Sequence, residues 1–477
     1  MTGTYEIGIV GLGVIGRNLL LNVAGHGFSA AGTDIDPAQL AALQAEAGDA
    51  PVFAAPDIQA FAGALRRPRA VLISVPAGPP VDAVIAALLP HLEEGDLVVD
   101  GGNSHFRDTD RRAGALAGRG TGFMGLGISG GAHGARYGPS LMAGGRPEDY
   151  LRVQPAFEAI AAKASGEPCA ALLGPGSAGH YVKMVHNGIE YGLIQLLAES
   201  YDLMKRGLGL SNDELADTFA EWNRGALNSY LVEISAAVFR QEDSLAGGRL
   251  IDAILDSAGQ KGTGAWTSQE ALALQVPTPT IDAAVGMRAL STRKAERVAA
   301  AEVLPGPPQR LAGDRERLAG ERERALADLQ GALYAGMVIT FAQGLSLLRA
   351  ASDAYDYGLE LEAVARIWRA GCIIRAALLE DIRAAYQRRP ELPNLLQDPG
   401  LAAELTGRLP GLRAIVRAAA QAGLPTPGFS SALAYLDGYR SAWLPANLVQ
   451  ALRDYFGAHT YERADRPGKF HTEWGED

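Results

Sequence analysis

Apolar positions along this chain fall into two textures. Residues 5–10 (Tyr-Glu-Ile-Gly-Ile-Val) form a short β-rich run that passes through Gly11-Leu12-Gly13-Val14-Ile15-Gly16 into an apolar-periodic segment reaching Val23. That order predicts strand, glycine turn, helix. A second run, 29–33, ends at Asp34, and Pro37 opens a helix through about Ala47. Further strand-like runs cover 70–75 and 97–100, with helical spacing over 81–89 between them. Strands alternating with helices predict a mostly parallel, doubly wound α/β sheet. After Gly174-Pro175-Gly176-Ser177 the long stretches carry helical periodicity, interrupted mainly at 257–266, 275–280, 304–308 and 388–400. From Asp454 onward the chain is polar, aromatic and Gly/Pro-containing, with no core of its own. The expected division is an α/β domain over 1–177, a large all-α domain over 178–453, and a C-terminal tail over 454–477 that docks elsewhere.

Composition narrows this picture. With 477 residues, 48% apolar and 20% charged, the chain is ordinary globular material too long for one core. Its 43 Lys and Arg against 54 Asp and Glu give a net charge of −11, without the basic stripe that broad nucleic-acid binding requires. Cys169 and Cys372 suggest neither a disulfide framework nor a metal knuckle, which fits a reducing, cytoplasmic setting. The N-terminus lacks a basic segment followed by a long apolar run, and no membrane span is expected. Glycine is enriched, at 58 residues, so close backbone approaches are expected.

The glycine turn carries the first chemistry. In a dinucleotide-binding turn the first glycine permits the bend, the second lets backbone approach the pyrophosphate, and the third lets helix pack on strand. Gly11, Gly13 and Gly16 occupy those places, and the N–H groups opening the next helix face the phosphates. Asp34 lies 18 positions after Gly16 at the end of the second strand, where a carboxylate accepts hydrogen bonds from ribose hydroxyls and repels a 2′-phosphate. Asp36, just before Pro37, better suits a helix N-cap.

A second constellation lies on the segment 180–197. Lys183, His186, Asn187, Glu190 and Tyr191 are spaced i, i+3, i+4, i+7 and i+8, which puts them on one side of a helix. Val182, Val185, Ile189, Leu193 and Leu196 form the adjoining apolar face. A merely solvated face would carry mixed Lys/Glu pairs. This one combines a base, an acid, an imidazole, an amide and a phenol. A desolvated Lys183 can take a hydroxyl proton during hydride removal, while Glu190 acts at another carbon. Asn103, in Asp100-Gly101-Gly102-Asn103-Ser104, should project from the carboxyl end of a strand, although an Asx turn would look alike. Ser129-Gly130-Gly131 offers a carboxylate nest or an ordinary tight turn. Gln260-Lys261-Gly262-Thr263-Gly264 lacks the full nucleotide-hydrolase loop pattern, leaving Lys261 as a candidate anion ligand; Arg288, Arg453 and His459 are further candidates that only convergence in space would separate from surface charges or helix-end partners.

These stretches together resemble the family of decarboxylating 6-phosphogluconate dehydrogenases. The matching segments are GLGVIG, DGGNS at 100–104, SGGAHGARYGPSLMAGG at 129–145, YVKMVHNGIEYG at 181–192, GQKGTGAWT at 259–267 and RDYFGAHTYE at 453–462. The resemblance implies a Rossmann domain, a large helical domain and a tail, assembled as a homodimer in which each subunit completes the other's site. It implies Lys183 as general base and Glu190 as general acid. Asn103, Ser129, Gly130, Gly131, His186, Asn187 and Tyr191 match substrate positions, Lys261 and Arg288 match ligands of the sugar phosphate, and Arg453 and His459 match residues given by the other subunit. Cofactor positions by the same match are Gly11 through Gly16 with Leu12, Val14 and Ile15, then Asp34, Ile35, Asp36, Val75, Pro76, Ala77 and Asn103. The implied reaction removes hydride from C3, loses carbon dioxide from the β-keto acid, and protonates the enediol to ribulose 5-phosphate in the pentose phosphate pathway, without a metal. The chain departs from the pattern at Ala132-His133, usually two glutamates, and at Ala265, usually lysine. NADP-dependent members carry Asn-Arg-Thr where this chain has Asp34-Ile35-Asp36, and Val-Lys-Ala where it has Val75-Pro76-Ala77. NAD is therefore the expected cofactor.

Two other readings compete. A non-decarboxylating β-hydroxyacid dehydrogenase shares the cofactor domain and a Lys/Asn helix, but it leaves Glu190 and the phosphate ligands without a task. A catalytically silent dinucleotide-binding assembly protein has no use for both Lys183 and Glu190. Carbon dioxide release separates the first reading from these.

Overall fold

The computed structural model describes residues 4–307, 309–311 and 318–475. The N-terminal strands are β1 (Ile7–Val10), β2 (Ala30–Thr33), β3 (Val52–Ala54), β4 (Ala70–Ile73), β5 (Leu97–Asp100), β6 (Gly122–Ser129) and β7 (Ser140–Gly144). A two-residue pair, β8 (Lys163–Ala164) and β9 (Glu167–Pro168), forms its own small hairpin, and β10 (Ala170–Gly174) rejoins the main sheet. The order is β10-β7-β6-β5-β4-β1-β2-β3, with every pairing parallel except β6 with β7.

Both faces of this sheet are buried, which is why its strands read as continuous apolar runs. Ile9, Leu72 and Val99 enter one core with Leu19, Leu20 and Phe157 from the helices Val14–Gly25 and Pro147–Ile160. Val10, Ile73 and Val98 enter the opposite core with Phe61, Ile85 and Leu88 from Ile58–Ala64 and Pro79–Leu88. The predicted helix from Pro37 ends at Ala47 as expected, and the Asp36 side chain accepts from the Ala38 N–H at 2.9 Å as its N-cap. The runs 5–10, 29–33 and 70–75 shorten at their ends. Ser74 and Val75, for instance, leave the ladder to form a loop that lines a cleft. Strand β3 has no counterpart in the sequence reading because it is three residues of partly buried edge.

Beyond Ser177 the fold is helical. The stretch Gly320–Ala354 is long and apolar enough to cross a membrane, but 89% of its most apolar window is buried inside the protein as a core helix. It packs against the helices Ala178–Asp202 and Pro399–Ala422. The expected interruption at 257–266 ends early, since a helix starts at Thr263 after the left-handed Gly262 (φ 99°). The one at 304–308 is loop through Pro307, and Pro308 lies outside the described residues.

The C-terminal unit runs from Leu433 to Asp477. Helix Ala446–Gly457 is followed by the antiparallel pair β11 (Tyr461–Glu462) and β12 (Lys469–Phe470). Asp454 ties them together, accepting from the Thr460 N–H, His471 Nδ1, the Thr472 N–H and Trp474 Nε1 at 2.9–3.0 Å. Desolvation pushes its pKa upward, but these donors outweigh it and hold the carboxyl at about 2.

Candidate active site

Because β1, β2, β4, β5 and β6 are parallel, their carboxyl ends lie along one edge of the sheet. The glycine turn, Asp34, Val75 and Asn103 follow those ends and Ser129 closes β6, and the strand order reverses between β4 and β1, where open α/β sheets bind ligands. A cleft of about 950 Å³ opens there, lined by Gly11, Gly13, Asp34, Val75 and Pro76 among others. The glycines divide their work as the turn requires. A Cβ on Gly11 (φ 94°) would meet the Ser74 carbonyl at 2.5 Å, and one on Gly16 would overlap the Gly11 carbonyl, whereas Gly13 faces open space. Backbone can therefore approach a pyrophosphate at Gly13, and the site fits a dinucleotide. The Asp34 carboxylate is fixed at the rim, accepting from the Leu12 N–H at 2.6 Å and the Asp36 N–H at 2.9 Å. Ile35 and Asp36 also line the cleft; the side chain of Leu12 is buried in the core, and Val14, Ile15, Gly16 and Ala77 are not among the lining residues.

The second constellation sits on the helix Ala178–Asp202, which lies tightly on β6 and β7 through small residues. A Cβ on Gly127 would come within 2.5 Å of the Lys183 Cβ, an overlap of the kind that costs about 1–3 kcal/mol. Lys183 and His186 are consequently buried, at 5% and 0% exposure, rather than on a solvated face. Lys183 Nζ stands 3.4 Å from His186 Nδ1, which also meets Asn187 Oδ1 at 3.1 Å, and His186 Nε2 lies 3.4 Å from Ser129 Oγ. The Trp368 indole packs T-shaped against the His186 ring, with centroids 5.5 Å apart.

Burial drives the acid and the base of this face toward their neutral forms. It lowers the Lys183 pKa to about 8, against the opposing Glu190 carboxyl, a shift worth about 3 kcal/mol in favour of the free amine. It raises the Glu190 pKa, against Lys183 and Arg288. Burial, then the Lys183 charge, pushes His186 well below its usual value, leaving it neutral. A lysine shifted toward its free amine and a carboxyl shifted toward its acid form, two turns apart on one helix, can serve as base and acid at different carbons of one ligand.

The surrounding loops converge on this face. Asn103 adopts a left-handed conformation (φ 52°), and its Oδ1 accepts from the Ile128 N–H at 3.3 Å, next to Ser129. The turn is held by Asp100, which accepts from Gly102 N, Ser104 Oγ and the buried Arg112. Gly130 (φ 108°) and Gly131 (φ 62°) open the short helix after β6. Arg288 lies over the Tyr191 ring, 3.4 Å from its centroid. Gly264 packs on that same ring, so the helix following Lys261 borders the face, although Lys261 itself is exposed. Arg453, which donates to Gln450 Oε1 at 3.0 Å, and His459, edge-on to Phe456, belong to the C-terminal unit and are both exposed. Trp368, Cys372 and Arg112 escaped the sequence reading. Trp368 and Cys372, four residues apart and joined by the hydrogen bond from Cys372 Sγ to the Trp368 carbonyl, and Arg112 on another segment reach the site by long-range packing that no local spacing announces. No cluster of three or more His, Cys, Asp or Glu suited to a metal occurs among the described residues.

Comparison with known proteins agrees over the full length. The family described as the NAD binding domain of 6-phosphogluconate dehydrogenase matches residues 6–174, and the 6-phosphogluconate dehydrogenase C-terminal domain matches 179–474. The NADP(+)-dependent, decarboxylating 6-phosphogluconate dehydrogenase of Bacillus subtilis is 48% identical over 469 residues, covering 98% of this chain and 99% of the relative. The decarboxylating enzyme of Synechocystis is 48% identical over 474 residues, covering 98% and 97%. The solved 6-phosphogluconate dehydrogenase of Plasmodium falciparum, described in its apo form and in complex with NADP+ and with 6-phosphogluconate, superimposes with a TM-score of 0.94 at 40% identity, covering 98% of this chain and 100% of that one.

Proposed function

The chain belongs to the 6-phosphogluconate dehydrogenase family of decarboxylating oxidoreductases, and from that premise we propose that it converts 6-phospho-D-gluconate to D-ribulose 5-phosphate and carbon dioxide with NAD preferred over NADP. The observation that carries this reading is the buried Lys183, its pKa lowered to about 8, on one helix face with a Glu190 whose pKa is raised. Bound in the cleft at Gly11, Gly13 and Asp34, the dinucleotide supplies the hydride acceptor. Lys183 takes the C3 hydroxyl proton as the C3 hydride leaves, and His186 and Asn187 orient the hydroxyl. The bond between the carboxyl carbon and C2 then breaks, its electron pair entering the enediol, and Glu190 delivers a proton to the former C2. Asn103, Ser129, Gly130, Gly131 and Tyr191 hold the acid and its hydroxyls, while Lys261 and Arg288 hold the phosphate. The test is one spectrophotometric assay with 6-phosphogluconate and either cofactor, following reduced nucleotide and carbon dioxide together. Reduced nucleotide without carbon dioxide would defeat it.

The two helix residues should separate kinetically. Glu190→Ala is expected to keep first-turnover hydride transfer within about tenfold of wild type while steady-state turnover falls by about a hundredfold or more. Stopped-flow formation of reduced nucleotide, compared with turnover, checks this. An equal loss in both would remove Glu190 from the later step.

The proposal extends to a cytoplasmic homodimer with domains over 1–177, 178–453 and 454–477, in which Arg453 and His459 complete the partner's site. Supporting it, Leu448, Val449, Leu452, Tyr455 and Phe456 are all more than half exposed on the helix Ala446–Gly457, an apolar face calling for a cover. Co-expressed Arg453→Ala and Lys183→Met chains should recover activity that neither homodimer has, through one intact composite site per heterodimer. Inactive heterodimers of verified composition would count against sharing.

A further inference from the structure

The wall of the cofactor cleft is acidic. Asp34, Asp36 and Asp57 line it, and no Lys, Arg or His does so among the described residues. One guanidinium nevertheless reaches that wall from behind. Arg17, on the helix that opens at the glycine turn, donates from Nη1 to Gln39 Oε1 at 2.8 Å, and Gln39 lines the cleft. The same Nη1 lies 3.4 Å from the Leu12 carbonyl, while the N–H of Leu12 is donated to Asp34. Gln39 continues the chain to the second acid of the wall, its Nε2 lying 3.4 Å from Asp36 Oδ2. On its other side the guanidinium forms an ion pair with Glu46, Nε lying 3.0 Å from Oε1 without the alignment of a hydrogen bond.

We propose that Glu46 is a second determinant of cofactor choice, acting through Arg17. Its carboxylate pairs with and neutralises the Arg17 guanidinium, the one that contacts the 34–39 wall among the described residues, so that a 2′-phosphate meets carboxylates without a compensating cation. The guanidinium of Arg17 carries five donors in a rigid fork, the group best suited to a phosphate. Its Nη1 already contacts a lining residue, so release from Glu46 rather than a large movement makes it available. Glu46 is a positioning residue here, because it works on the ligand only through Arg17. The inference rests on the reading of the cleft as an NAD-preferring site, and it locates part of that preference outside the residues facing the ligand.

Binding of two probes tests it without turnover. 5′-AMP and 2′,5′-ADP differ only by the 2′-phosphate, so the ratio of their dissociation constants, measured by calorimetry on the full-length protein, isolates that group. Glu46→Gln is expected to shift the ratio toward 2′,5′-ADP by about fivefold, the scale of one partly exposed ion pair redirected to a phosphate. The Glu46 side chain is 46% exposed, so the substitution leaves the core intact. Adding Arg17→Gln to Glu46→Gln should cancel the shift. An unchanged ratio in Glu46→Gln overturns the proposal. So does a shift that survives loss of Arg17, since removing a negative charge would then suffice. A wild-type protein that prefers 2′,5′-ADP would defeat the NAD reading instead, while the variant-to-wild-type ratio still judges Glu46 and Arg17.

Discussion

Lys183→Met is expected to slow hydride removal by at least about a hundredfold, the low end for losing a positioned acid–base group. The methionine fills the same buried space against Gly127, so the helix keeps its seat on β6 while the proton acceptor is gone. Lys183→Arg should fail as well, because a guanidinium stays protonated and cannot accept the hydroxyl proton. The pH dependence has a definite sign. With Lys183 as the proposed base the working form is the free amine, so kcat/KM for oxidation should rise with pH as Lys183 deprotonates at about 8 and level off above it. Burial is what brings that limb down from the ordinary lysine range into physiological reach. Stopped-flow traces of reduced nucleotide across pH, with wild type and both variants, give the comparison. Oxidation by Lys183→Met at near the wild-type rate would show that another group takes the proton.

Much of this site is written in local spacing. The i, i+3, i+4, i+7, i+8 pattern from Lys183 to Tyr191 survives folding as one face, since a helix preserves periodicity whatever packs on it. Strand, glycine turn and acid are equally legible, because Gly11 and Gly16 answer close approaches by the Ser74 and Gly11 carbonyls while Gly13 faces the open cleft. What spacing could not convey is depth. A Lys/His/Glu face reads the same whether solvated or buried, and only the packing of Gly127 against Lys183 and of Trp368 against His186 makes it a site with displaced pKa values. The network of Arg112 with Asp100, Ser104, Asp82 and the Gly78 carbonyl was likewise invisible, since its members come from three separate loops and helices. Short edge elements such as Val52–Ala54 escape for a different reason. Three half-buried residues carry too little alternation to stand out.

Cofactor choice is where this chain should part from relatives such as the NADP(+)-dependent enzyme of Bacillus subtilis. NAD is expected to be favoured over NADP by about tenfold to a hundredfold in kcat/KM, or roughly 1.4–2.7 kcal/mol. Asp34 lines the cleft with both oxygens anchored on backbone N–H groups, so it cannot swing away from an incoming phosphate without leaving the Leu12 and Asp36 donors unpaired. Two like unit charges about 4 Å apart repel by about 4 kcal/mol at an effective dielectric near 20, and by roughly 1 kcal/mol in full water screening. The expected preference falls between these limits because the cleft is open to solvent on one side. Ile35 is fully exposed and offers no guanidinium, and Pro76 lines the opposite wall without an ammonium. Changing Asp34→Asn together with Ile35→Arg removes the repulsion and supplies a cation, and it should narrow or reverse the ratio. Initial rates with each cofactor at saturating 6-phosphogluconate, for wild type and the double variant, decide the matter. Equal or better wild-type kcat/KM with NADP would mean that the Asp34 carboxylate does not face the adenosine ribose.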